Sequence, residues 1–91
     1  MARAGRPPGK DLGPLSAAVA AAVRTLREEA GLTRLEMAQR LGIRTVRLTS
    51  MEQHETIISV SRLGDMALAL GISPSRILVE AERILEGQPE P

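Results

Sequence analysis

The chain contains no cysteine and no phenylalanine, tyrosine or tryptophan. The first absence excludes a disulfide staple and any thiolate metal site, and it suits a reducing compartment such as the cytoplasm of a bacterium or its phage-infected host. A single histidine leaves too few imidazole ligands for a zinc centre. Without aromatic rings the chain cannot stack bases as single-strand and RNA readers do. Its core must be assembled from Leu, Ile, Val, Met and Ala. No apolar run approaches the ~20 residues that span a bilayer. Ala17 to Val23 lies behind Arg3, Arg6 and Lys10 in the outline of a signal peptide, but Asp11, Gly13 and Pro14 interrupt it. No nucleophile stands beside a base, and no glycine loop is shaped to cradle a phosphate, so neither an enzyme nor a cofactor is expected.

What is present is an uneven distribution of charge. The net charge is only +1 over 91 residues. Residues 1–14 carry Arg3, Arg6 and Lys10 against Asp11, a net +2. Residues 34–52 are also +2, and residues 53–91 are −3. A basic tail and a basic middle beside an acidic C-terminal third point to one surface for a polyanion and another that avoids it.

Residues 1–13 are rich in Gly, Pro and basic side chains and read as a flexible arm. Gly5-Arg6-Pro7 has the look of an AT-hook core, which makes Arg3, Arg6 and Lys10 candidate minor-groove contacts. A merely solvated tail is the competing reading. Residues 14–87 should form one domain, with 88–91 frayed.

Five helices are expected in that domain. The first runs from Pro14 to Ala30, with Leu15, Val19, Val23 and Leu26 as its apolar stripe and Gly31 as a left-handed stop. Thr33 and Glu36 have capping-box spacing at the head of the second, whose Leu35, Met37, Ala38 and Leu41 supply apolar surface. The third covers about Thr45 to Gln53, with Leu48 and Met51 inward. A loop over His54–Val60 leads to a fourth helix from about Ser61 to Leu70, buried through Leu63, Met66, Ala67 and Leu70. Gly64 inside it suggests a close approach of a neighbour. Ser73 caps a fifth helix, Pro74 occupies its first position, and Ile77, Leu78, Ala81, Ile84 and Leu85 share one side.

The informative stretch is GLTRLEMAQRLGIRTVRLTSME, from Gly31 to Glu52. It reads as a capped helix, a Gly42 turn and a second helix with few inward residues. Small Ala38 lets two helices approach, Ile43 plugs the angle between them, and the second helix is left with a polar face. This is what docking a helix-turn-helix into the major groove requires.

The segments LREEAGLT, MAQRLGI, ME and LALGIS occur in the order and spacing of the Cro/lambda-repressor-like (XRE) helix-turn-helix family, which the chain resembles from about Val19 to Leu78. The resemblance implies an all-α, compact five-helix DNA-binding domain that binds double-stranded operator DNA as a homodimer. It places Thr45, Val46, Arg47, Thr49 and Ser50 on the recognition helix as base-contacting residues. It makes Arg34 and Arg44 phosphate contacts, and it matches Arg27 and Glu52 to a buried ion pair. Arg40 is read as solvated. His54 stands where the family has glycine, and Glu55, Thr56, Ile57 and Ile58 replace a polar or basic loop. Arg44 replaces the usual Ser or Thr cap, so either Thr45 caps a shifted helix or Arg44 begins it uncapped.

Two classes of function follow from the resemblance. One is a transcription regulator, a repressor of the phage type or an antitoxin that represses its own gene and has a toxin as its protein partner. The other is a protein-interaction module that keeps the fold but has lost DNA binding, favoured by the low net charge and the Ile57-Ile58 loop. Those two isoleucines, with the distal part of the fifth helix, are the candidate dimer surface.

Overall fold

Pro14 opens α1 (Pro14–Glu29) without sacrificing a hydrogen bond, because the first amides of a helix have no intrahelical acceptor. The computed structural model describes residues 13–87. Arg3, Arg6 and Lys10 of the arm, and the C-terminal 88–91, lie outside the described residues. The other elements are α2 (Arg34–Leu41), α3 (Thr45–Glu52), α4 (Val60–Leu70) and α5 (Pro74–Glu86). No strand occurs among the described residues, and none of their helices is long and apolar enough to cross a membrane.

The capping box at α2 is formed as its spacing predicts. The Glu36 amide donates to Thr33 Oγ1 (3.0 Å), and the Thr33 amide donates to Glu36 Oε1 (2.8 Å). Gly42 then takes φ 70°, a left-handed conformation that a side chain would strain. In the turn that results, the Ile43 amide donates to Ala38 O (3.0 Å). Ala38 is buried where α2 meets α3, and Ile43 packs against the edge of the core.

One continuous core unites the five helices. Val23, Met37, Leu48, Met51, Met66 and Ile77 are its largest fully buried members. Three flexible methionines thus fill the irregular centre that a chain with aromatics would fill with rings. α1 packs most extensively on α5, where Ala18, Ala22 and Ala81 let the backbones approach.

Several local expectations need correction. Leu15, expected in the buried stripe of α1, is half exposed because it sits on the first turn, at the rim of the core. Leu35 is exposed too, leaving Met37 and Ala38 as the buried residues of α2. α4 begins at Val60, one residue early, because Ser59 accepts a hydrogen bond from the Arg62 amide (3.0 Å) and so caps it. Ser73 holds the cap position of α5, but its hydroxyl pairs with that of Ser75 (2.9 Å) and makes no cap bond. Gly64 faces open space, with nothing within 4 Å of where a Cβ would stand, so no neighbour requires it to be small. Leu78 leans outward from the α5 stripe, whose buried members are Ile77 and Ala81.

Candidate nucleic-acid interface

α3 has one wet side and one dry side. Leu48 and Met51 point into the core, while Val46 is 66% exposed and Arg47 is exposed. Thr45, Thr49 and Ser50 are half-buried at the margins of that outward face. Val46 and Arg47 stand side by side in the first turn of α3, an apolar and a cationic side chain both open to solvent.

The hydroxyls along this face differ in what they have left to offer. Thr49 Oγ1 donates back to Thr45 O (3.1 Å), so toward a ligand it can only accept. Ser50 Oγ is paired with Thr56 Oγ1 (2.7 Å), which ties the end of α3 to the following loop. Thr56 is a partner that the sequence pattern did not reveal. The Thr45 hydroxyl has no such bond among the described residues.

Arg44 is the N-cap of α3, in extended backbone (φ −77°, ψ 147°), with no side-chain cap. Of the two alternatives left open by the sequence, the helix is therefore unshifted and uncapped: the Arg47 amide donates to Arg44 O (3.0 Å), and the amides of Thr45 and Val46 have no acceptor within the helix. Arg44 itself is exposed. His54 follows α3 with φ 62°, the left-handed conformation expected where the family has glycine. Its Nε2 is buried without a hydrogen-bond partner.

Behind the wet face lies a buried ionic node. The Glu52 side chain is fully buried, and its Oε2 accepts from Arg27 Nε (2.7 Å) while Oε1 accepts from Arg27 Nη2 (3.0 Å). The two parallel bonds form a bidentate fork. Arg27 also donates through Nη1 to Leu32 O (2.8 Å), which secures the bend between α1 and α2. The hydrogen bond to Glu52 is the main reason the Arg27 pKa is raised, outweighing the desolvation that opposes it. The pairing implied by the resemblance is thus formed. Unforeseen was a second arginine on the same carboxylate: Arg34 Nε donates to Glu52 Oε1 (3.0 Å). Eighteen positions separate these partners, and only the packing of α2 on α3 brings them together.

Arg40, read as solvated, instead donates through Nη1 to Ala69 O (2.9 Å) in the last turn of α4, although it remains exposed. Sequence reasoning also passed over Glu80. It is buried on α5 between Arg83 (2.6 Å) and Arg76 (3.6 Å). The Arg83 hydrogen bond holds its carboxyl below the usual range. The i,i+3 and i,i+4 spacings were visible, but the burial was not.

The pair Ile57 and Ile58 is split by the fold. Ile58 packs against the core, and Ile57 is exposed. With Leu15, Val19, Val60, Leu63 and Leu78, they line an apolar groove of about 330 Å³ between the start of α1, the start of α4 and α5.

A sequence profile of the helix-turn-helix family matches residues 23–77. Among solved structures, the clp gene regulator ClgR from Corynebacterium glutamicum is 30% identical with a TM-score of 0.77, over 81% of this chain and 96% of that one. A second ClgR structure is 29% identical with a TM-score of 0.75, over 79% and 77%. The hypothetical transcription factor NHTF from Neisseria is 25% identical with a TM-score of 0.69, over 97% and 98%. No curated protein matches the chain.

Proposed function

The chain belongs to the Cro/lambda-repressor-like (XRE) helix-turn-helix family of DNA-binding transcription regulators, and on that footing we propose that it represses transcription by occupying a palindromic operator as a homodimer. The observation that carries the reading is the outward face of α3, with Val46 and Arg47 exposed over a dry inner side. The Arg47 fork suits guanine O6 and N7, and Val46 suits a thymine methyl. Thr45, Thr49 and Ser50 complete the base-reading set. Arg34 and Arg44 stand at the first turns of α2 and α3 and supply phosphate contacts that set register. The apolar groove at Ile57 and Val60 supports the dimer, since exposed apolar surface on a small domain marks a site of association. Two copies then present recognition helices about 34 Å apart, one turn of duplex.

Selection of bound duplexes from a random pool tests this reading. It should return an inverted repeat with that spacing, and bound sequences sharing no motif would refute it. Within the recovered site, Arg47→Ala should cost about 1–3 kcal/mol at one position of each half-site, read by competition between single-base variants.

One observation favours a second reading. The loop after α3 exposes Glu55 and Ile57 where a phosphate clamp would need basic side chains. A protein-interaction module fits that loop, and for it duplex binding would be absent even at low salt. A DNA binder loses affinity steeply as salt rises.

A further inference from the structure

We infer that Thr56, in the loop after α3, is a positioning residue for base reading: its hydroxyl holds Ser50 Oγ off the helix backbone and so leaves Ser50 able to donate to an acceptor on a base edge. The assignment rests on the DNA-binding reading of α3 and extends it to a residue outside the recognition helix.

A hydroxyl inside a helix has an acceptor close by, the carbonyl four residues back. Thr49 takes it: Oγ1 donates to Thr45 O (3.1 Å), its one proton is spent, and only lone pairs remain. Ser50 has the Val46 carbonyl at the equivalent place, yet its Oγ meets Thr56 Oγ1 (2.7 Å). Of the two protons in that pair, one lies between the oxygens and the other is left over. With Thr56 as donor, Ser50 keeps its own proton for guanine O6 or N7, adenine N7 or thymine O4. Each link of such a chain polarises the next, so the bond from Thr56 strengthens the one from Ser50 to the base. Accepting needs no such partner, as Thr49 demonstrates. Only donation requires that the proton be kept off the helix carbonyl.

The loop holds Thr56 where this requires. His54 turns the chain back beside the last turn of α3 with φ 62°. The Glu55 amide donates to Ser50 O (2.8 Å), and two residues beyond Thr56 the side chain of Ile58 packs against the core. The backbone is thus pinned on both sides of Thr56, and one pin lies on the residue that Thr56 orients. Thr56 itself is exposed and outside every helix.

Thr56→Val exchanges the hydroxyl for a methyl of about the same size. Ser50 then folds back on Val46 O and becomes an acceptor alone. Duplexes selected from a random pool by the wild type define the site. Single-base variants of it are competed by anisotropy against wild type, Ser50→Ala, Thr56→Val, Thr56→Ser and the double variant Ser50→Ala with Thr56→Val. Ser50→Ala should flatten the base preference at one position of each half-site. Thr56→Val should flatten that same position by about fivefold, and Thr56→Ser should keep the wild-type preference. The double variant should match Ser50→Ala, since Thr56 acts only through Ser50. Thr56→Val that weakens binding to every sequence by one common factor would overturn the proposal, because Thr56 would then be a general contact or a brace. Preserved preference at the Ser50 position, or losses that add in the double variant, would overturn it too. A wild-type chain that selects no motif would remove the base-reading face itself, and the role of Thr56 with it.

Discussion

A buried carboxylate is tolerated only when its lone pairs are filled, and Glu52 fills them with three N–H donors from two arginines. Arg27 supplies two of the three and reaches Leu32 O as well. Arg27→Ala should therefore cost about 3 kcal/mol in urea unfolding, at the lower end for a broken buried pair because Arg34 remains on Glu52. A loss below about 1 kcal/mol, the range of exposed pairs, would show that the node is not structural. His54 presents the opposite case, a residue whose local conformation opposes its chemistry. It is held at φ 62° with Nε2 buried and unpaired. Replacing it with glycine removes both penalties at the loss of some packing, and His54→Gly should stabilise the fold by about 1 kcal/mol. A lower melting temperature in that variant would mean that packing of the imidazole outweighs the strain.

At the scale of the helix, ends and interiors obey different rules. Thr33 and Glu36 close the start of α2 reciprocally, and hydrogen bonds from the Thr33 amide and hydroxyl hold the Glu36 carboxyl below the usual range. Ser59 does half of the same work for α4. α3 has no side-chain cap at all, which costs stability and leaves its first turn available to a ligand. Gly64, inside α4, has neither a positive φ nor a close neighbour. Its only intrinsic effect is the entropy of a glycine in a helix, so Gly64→Ala should raise stability by about 1 kcal/mol. Denaturant titration checks this. A destabilised variant would reveal a packing constraint, or a partner seated on α4, that the isolated fold does not contain.

For the molecule as a whole, acid sensitivity should come from two carboxylates. Glu36 and Glu80 both have folded-state pKa values below their ordinary ones, through the Thr33 cap and the Arg83 hydrogen bond respectively. A group depressed in the folded state contributes its stability above the unfolded value, and the contribution is lost as pH falls through the folded one. The melting temperature should therefore decline as pH drops below about 4.3. Glu80→Gln should melt lower at pH 7 but show a shallower decline, so that the two curves converge in acid. Parallel curves would remove Glu80 from the account.

The domain as a whole was legible in the order of residues because its signals are local. Pro14, Thr33, Gly42 and Pro74 act on the backbone within a turn of themselves, and the spacing of Val19, Val23 and Leu26, or of Leu48 and Met51, needs only helical geometry to be read. The outward set on α3 follows from the same periodicity, since residues off the buried stripe must face elsewhere. What packing alone settled are the meetings between helices: Arg34 on Glu52, Arg40 on Ala69 O, Ser50 on Thr56, the burial of Glu80, and the parting of Ile57 from Ile58. Such contacts depend on interhelical angles and on which side chain reaches a shared space first. Those are properties of the assembled core, so no window of sequence short enough to be one helix contains them.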